Sequence, residues 1–189
     1  GYLSVAPGTY FLDVRAAGDP NIVATFEAPL GLFTDQAITV FASGFLADDP
    51  AFGLFAMDVN GEVYPLEAVN ISRGQIIHNS PGAPDVDIYL NDELAIEDLA
   101  FRNATEYTFL RAGEPVNVKV VPADGDPTMD AVYDEDVTLG NNGDVLVIMA
   151  TGVVGNVDTP FGLAVYGTAR EAAADAGVDL LLYHGSPDA

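Results

Sequence analysis

The chain has 189 residues, 49% of them apolar, and carries 29 Asp and Glu against six Lys and Arg for a formal net charge of −23. Such a charge repels nucleic acid and anionic membrane, while the apolar content argues against the disorder that acidity otherwise brings. Cysteine is absent, which excludes disulfides and thiol catalysis, and no run of about 18 apolar residues offers a spanning helix.

Along the chain the pattern is that of short strands. No leader pattern stands at Gly1, so the N-terminus reads as a mature or cut end. Tyr10, Leu12 and Val14 alternate with Phe11, Asp13 and Arg15, a strand with one buried face. Ile38–Ala42 is apolar on both faces and predicts a central strand, as does Val145–Met149. Asp58-Val59-Asn60-Gly61-Glu62 resembles the start of a calcium loop. Its twelfth position is Val69, so a hairpin turn at Asn60-Gly61 is the simpler reading. Val116, Val118 and Val120 alternate with Asn117, Lys119 and Val121 in a further strand. Thr168-Ala169-Arg170-Glu171 has the form of a capping box, followed by Ala172–Ala176 and stopped by Gly177. It predicts a short helix or turn. Val178–Tyr183 closes the series as another strand.

Self-comparison organises these elements. Val5-Ala6-Pro7-Gly8 lies over Leu110-Arg111-Ala112-Gly113, and Val40-Phe41-Ala42-Ser43-Gly44 over Ile148-Met149-Ala150-Thr151-Gly152. His78-Asn79-Ser80-Pro81 lies over His184-Gly185-Ser186-Pro187, and the offset stays between 105 and 109 throughout. The reading is a frame cut across a tandem array. Residues 1–71 are the later part of one repeat without its opening strands, 72–177 a complete second repeat, and 178–189 the opening strand and corner of a third. The expected fold is all-β, as tandem Ig-like β-sandwich domains with the short helix or turn at the repeat junction.

The most distinctive stretch is Ile76–Asp92. Ile76 and Ile77 end a buried strand, and Ser80-Pro81-Gly82-Ala83-Pro84 cannot continue it because two prolines remove ladder donors. Val86, Ile88 and Leu90 then alternate with Asp87, Tyr89 and Asn91, which turns Asp87 away from the apolar face and toward solvent. The ordered string His78, Ser80, Pro81, Ala83, Pro84, Val86, Asp87, Ile88 and Tyr89 resembles the signature of the domain-of-unknown-function 4397 family. Gly82 stands where that family usually has Asp, while the second copy keeps Asp188. The resemblance implies secreted or surface-attached tandem β-sandwich repeats, with no known enzymatic role and no catalytic residues to carry over.

Candidate chemistry is sparse. His78 and His184 occupy equivalent places, one per repeat. A lone histidine before a Ser-Pro corner hydrogen-bonds the corner more readily than it serves as a base or ligand. No Gly-x-Ser-x-Gly elbow surrounds Ser80 or Ser186. His78, Ser80, Pro81, Pro84, His184, Ser186 and Pro187 are therefore read as structural corners. The acidity has three accounts: a high-salt habitat that screens self-repulsion, bound Ca²⁺, or plain solubility. Asp85 and Asp87 are the best Ca²⁺ candidates. No other cofactor is implied.

The functional expectation is a non-enzymatic extracellular or cell-surface structural repeat protein, a stalk, layer or filament subunit. Its partners would be neighbouring copies of itself, joined head to tail through Val178, Leu180, Leu182 and Tyr183 by strand addition. Nucleic acid and membrane insertion are not expected. The alternative is a surface adhesion module that holds a glycan or protein on exposed tyrosines such as Tyr64, Tyr89 and Tyr133.

Overall fold

The computed structural model describes residues 1–186, and these are almost entirely β. The chain divides into two compact units, Gly1–Asn70 and Ile71–Ala189. Pro187 lies outside the described residues.

The first unit contains β1 (Thr9–Arg15), β2 (Ile22–Pro29), β3 (Thr39–Ser43), β4 (Gly53–Met57), β5 (Val63–Pro65) and β6 (Glu67–Val69), with one 3-10 turn at Leu30–Phe33. They form two three-stranded sheets, ordered β1-β2-β6 and β3-β4-β5. Phe26, Ala28, Phe33, Leu54, Ala56 and Leu66 make the core, drawn from both sheets. The period-two pattern of β1 works as expected, since Leu12 and Val14 pack against that core.

The second unit contains β7 (Ile71–His78), β8 (Val86–Leu90), β9 (Glu93–Leu99), β10 (Thr108–Arg111), β11 (Pro115–Pro122), β12 (Tyr133–Thr138), β13 (Val145–Thr151) and β14 (Gly162–Tyr166). Its two four-stranded sheets run β10-β7-β13-β14 and β12-β11-β8-β9. Ile76, Leu110, Leu146 and Ile148 of the first meet Val86, Ile88, Val116, Val118 and Val120 of the second in one apolar core. Inward residues come from alternate positions on each strand, as a sandwich requires.

β13 is the central strand its sequence predicts. Leu146, Val147, Ile148, Met149 and Ala150 are all buried. β7 pairs with it in parallel and β14 antiparallel. Residues 168–170 and 178–181 border its outer face at Val147.

β3 does not behave as its sequence predicts. Among the described residues it is an edge strand, paired to β4 alone, and all five of its residues are exposed. An apolar pattern reports the burial a strand needs. Whether a neighbour is there to supply it depends on other segments.

The capping-box stretch forms a turn and bends, with no helix over Thr168–Gly177. Glu171 gives both carboxylate oxygens to Arg73, at 2.9 Å from Nε and 2.8 Å from Nη2, instead of folding back on Thr168. Ala169 N donates to Val145 O, which holds the chain to the sheet. A helix this short has little stability of its own to oppose such contacts.

One supersecondary piece occurs twice. The loop after β3 bends at Gly44, with Phe45 N donating to Pro50 O at 2.8 Å and a parallel bridge from Phe45 to Ala51. The loop after β13 bends at Gly152, with Val153 N donating to Thr159 O at 2.9 Å and a parallel bridge from Val153 to Pro160. Both glycines have positive φ, 92° and 76°, and a Cβ at either would collide with the carbonyl of the returning strand. Only glycine satisfies both demands.

Candidate structural site: the corner and the open edge

β7 ends at His78, and the next residues build the corner on its side chain. The ring is fully buried. Ser80 N lies 3.3 Å from Nδ1, and Nε2 lies 3.0 Å from Pro84 O. A backbone N–H can only donate, so Nδ1 accepts and the proton resides on Nε2, which donates to the carbonyl. Phe101 meets the ring edge-on with centroids 5.8 Å apart. Both ring nitrogens are thus committed to the backbone of the turn, and neither is directed at a metal or a substrate.

Ser80 is also fully buried, and its Oγ donates to Gly152 O at 2.7 Å. A hydroxyl committed in this way is a tie between strands. Asn79 N donates to Ala150 O at 2.9 Å, which extends the β7–β13 pairing one residue beyond His78. On the other edge His78 N donates to Asn103 O, and Arg102 N donates to His78 O. Pro81 and Pro84 close the turn around Gly82, whose φ is 83°.

The second copy of the corner stands in a different condition. His184 and Ser186 are exposed, and residues 178–186 belong to no strand. Val178 is 82% exposed, Leu180 77% and Leu182 87%. Side-chain contacts hold the segment to its surroundings. Asp179 meets Arg170 at 2.6 Å, Tyr183 OH lies 3.2 Å from Thr151 Oγ1, and the Tyr183 ring packs edge-on against Tyr166.

The carboxylates divide. Asp85 is exposed. Asp87 is buried, against the exposed position its alternation predicts, and its Oδ1 accepts from Asp98 N at 2.9 Å. The register between β8 and β9 shifts at this point, and Asp98 has φ 53°, so the bulge carries an N–H onto the carboxylate. Among the described residues no three His, Asp or Glu side chains converge as a metal set. Asp58 caps the β4–β5 hairpin, with Oδ1 accepting from Glu62 N and Asn60 N, both at 2.9 Å. The Glu62 N–H is the main reason its carboxyl lies below the ordinary aspartate range.

The three tyrosines are each half-buried within their own units. Tyr64 packs on Phe33 in the first unit, Tyr133 on Phe161 in the second, and Tyr89 is half-buried on β8. The second unit does hold a cleft of about 260 Å³ between its sheets, bordered by Ile88, Leu90, Ile96, Phe109 and Leu163 with Thr108 as the polar exception.

Sequence reasoning missed Gly44 and Gly152, although the internal alignment carried them. It also missed Arg73, whose guanidinium lies over the Phe109 ring at 4.6 Å while holding Glu171. That pairing spans nearly the whole second unit, and no local pattern announces it.

No curated protein and no solved structure matches the chain. A family model described as a domain of unknown function, DUF4397, matches residues 74–189, which run from within β7 to the end of the sequence. That match covers more than half of the chain, and the protein belongs to the DUF4397 family.

Proposed function

We propose that the protein is a non-enzymatic structural protein of the cell exterior, in which Ig-like β-sandwich repeats are stacked into a stalk, layer or filament. The observation that carries this reading is the hairpin that occurs in both units with the same glycine bend and the same bridge. Repetition of one supersecondary piece in successive units is how extended arrays are made. The fate of the titratable groups agrees, since His78, Ser80 and Asp87 are all spent on backbone hydrogen bonds. The exterior location rests on the resemblance of the His-x-Ser-Pro corner to secreted repeats.

Electron microscopy of the purified chain in high salt tests the reading. Rods or sheets with a repeat of one or two sandwich lengths are the expected result. Turnover of a substrate at the cleft between β8 and β13, with no ordered assembly, would replace it with an enzyme. Melting curves with added NaCl and with added Ca²⁺ separate the accounts of the acidity. Screening stabilises through monovalent salt alone, whereas bound calcium stabilises at millimolar concentration or below.

The adhesion reading has less support once Tyr64 and Tyr133 are packed into separate cores. The apolar cleft in the second unit remains its best foothold.

A further inference from the structure

We infer that the second unit binds one uncharged alkyl chain of about ten carbon atoms in the cleft between its sheets, with a terminal oxygen at Thr108. The inference goes beyond the structural reading above and does not depend on whether copies assemble.

The cleft is built from the interior of the chain. Its walls lie between Ile76 and Leu163 in sequence. They are drawn from all four strands of the β10-β7-β13-β14 sheet and from β8, β9 and β11 of the other. Four neighbouring strands span three interstrand spacings, roughly 14 Å, so the void is long rather than round. Its volume is about 260 Å³. Protein interiors hold few voids larger than a water molecule, because the walls of an empty one lose their contacts. A dry cavity of about 150 Å³ accommodates a six-carbon ring, and the same proportion gives about ten carbon atoms here. An extended chain of that size fills a long void, whereas a compact ring leaves its ends empty.

The entrance is made by β9. β8 pairs Ile88 with Ile96 and then Tyr89 with Leu94, which leaves Ala95 as the extra residue of a bulge. A bulge bends an edge strand and re-aims its side chain, and Ala95 borders the cleft while remaining exposed. Across the opening stands β10, the edge of the other sheet, with Thr108 exposed and Leu110 buried. β9 and β10 are not hydrogen-bonded to each other, so the sandwich is open between them. Deeper in, Val118 is 4% exposed, Val120 1% and Ile148 4%.

Polarity and charge select the ligand. Among the described residues no charged side chain borders the cleft, and Thr108 is the polar exception. Thr108 is two residues from buried Leu110, which puts both on the core side of β10. Among the described residues the Thr108 hydroxyl is not spent on a neighbour. It can donate to an alcohol or ether oxygen and accept from an alcohol. A carboxylate is disfavoured there. Glu93, Glu97 and Asp98 are exposed on β9 beside Ala95. Arg73, whose guanidinium lies over the Phe109 ring, is already held by both oxygens of Glu171. A fatty-acid anion is therefore repelled where a neutral chain is not.

Straight-chain alcohols test this on the unsubstituted protein by titration calorimetry. Affinity should rise about fourfold per methylene from butanol upward and level off near decanol. Decanoate should bind about tenfold more weakly than decanol at neutral pH. Ala95→Trp, at an exposed edge position, should abolish decanol binding with an unchanged far-UV spectrum. Thr108→Val should weaken every alcohol by about the same several-fold factor and leave the step per methylene as it was. If Ala95→Trp fails to fold, the plateau in chain length and the Thr108→Val loss still decide. Absence of saturable binding by any alcohol would overturn the inference. Affinity that keeps climbing through tetradecanol, or that survives Ala95→Trp, would overturn it in favour of partitioning onto exposed apolar surface. Decanoate binding as tightly as decanol would remove the neutral end group from Thr108.

Discussion

β13 and β3 are closely similar strands in unlike surroundings. Ile148-Met149-Ala150-Thr151-Gly152 and Val40-Phe41-Ala42-Ser43-Gly44 share their apolar character and their glycine bend. Each leads through the same kind of loop into an antiparallel partner. β13 is buried from Leu146 to Ala150, and β3 is exposed through its length. The difference is one neighbouring strand: β7 pairs with β13, whereas among the described residues β3 is paired to β4 alone. The two corners repeat the lesson. His78 and Ser80 are wholly buried, whereas His184 and Ser186 stand in solvent. A strand pattern encodes a requirement for partners, and the requirement is met only where β7 is present.

Paired substitutions break this comparison or sharpen it. The largest contrast is expected at equivalent positions of the two strands. Ile148→Ala should destabilise the second unit by roughly 2–5 kcal/mol, by loss of buried methyl groups and the cavity left behind. Val40→Ala in the single chain should cost under about 1 kcal/mol, because much of that side chain is already in water. Urea denaturation of dispersed chains gives both values. Equal losses would show that β3 is covered after all.

At the corners, His78→Ala should cost about 2–4 kcal/mol, since it removes a buried ring and leaves Ser80 N and Pro84 O without partners. His184→Ala should leave the melting temperature of dispersed chains unchanged. The same contrast, smaller, is expected of the serines. Ser80→Ala should cost about 1–2 kcal/mol through the orphaned Gly152 carbonyl, and Ser186→Ala, at an exposed site, should cost less. If His184 or Ser186 proves as sensitive as its partner in dispersed chains, the second corner is docked in solution.

The smallest effect concerns the ion pair in the turn that the capping-box stretch forms. Arg73 holds the Glu171 carboxyl below the ordinary glutamate range. A depressed folded-state value means the stabilisation is fully present above the unfolded glutamate pKa and is lost as pH falls through the folded one. Glu171→Gln should therefore cost under about 1 kcal/mol at neutral pH, as suits a half-exposed pair, and almost nothing in acid. A pH series of melting temperatures for both proteins should converge below the carboxylate range. Parallel curves would assign the effect to packing of Arg73 on Phe109.

Most strand identities, the hairpin at Asn60-Gly61 and the proline corner were legible because each rests on local chemistry, whereas the strand expected at Val178–Tyr183 does not form. Alternation, positive-φ glycine and proline's missing N–H act within a few residues. What was not legible depended on distant residues. The capping-box stretch left a short helix or a turn open, and the turn is the form in which Glu171 reaches Arg73, 98 positions away. Asp87 turned inward because β9 bulges at Asp98 and presents a backbone donor. Tyr64 and Tyr133 looked like free aromatics until Phe33 and Phe161 were placed against them.

By itself, the sequence determined an all-β chain in which one hydrophobic motif and one glycine bend occur twice. Those features follow from backbone sterics and side-chain period, which need no partner to operate. Only the tertiary structure decided which copy is buried. Burial is a property of two surfaces meeting, and the order of strands determines whether a second surface is there.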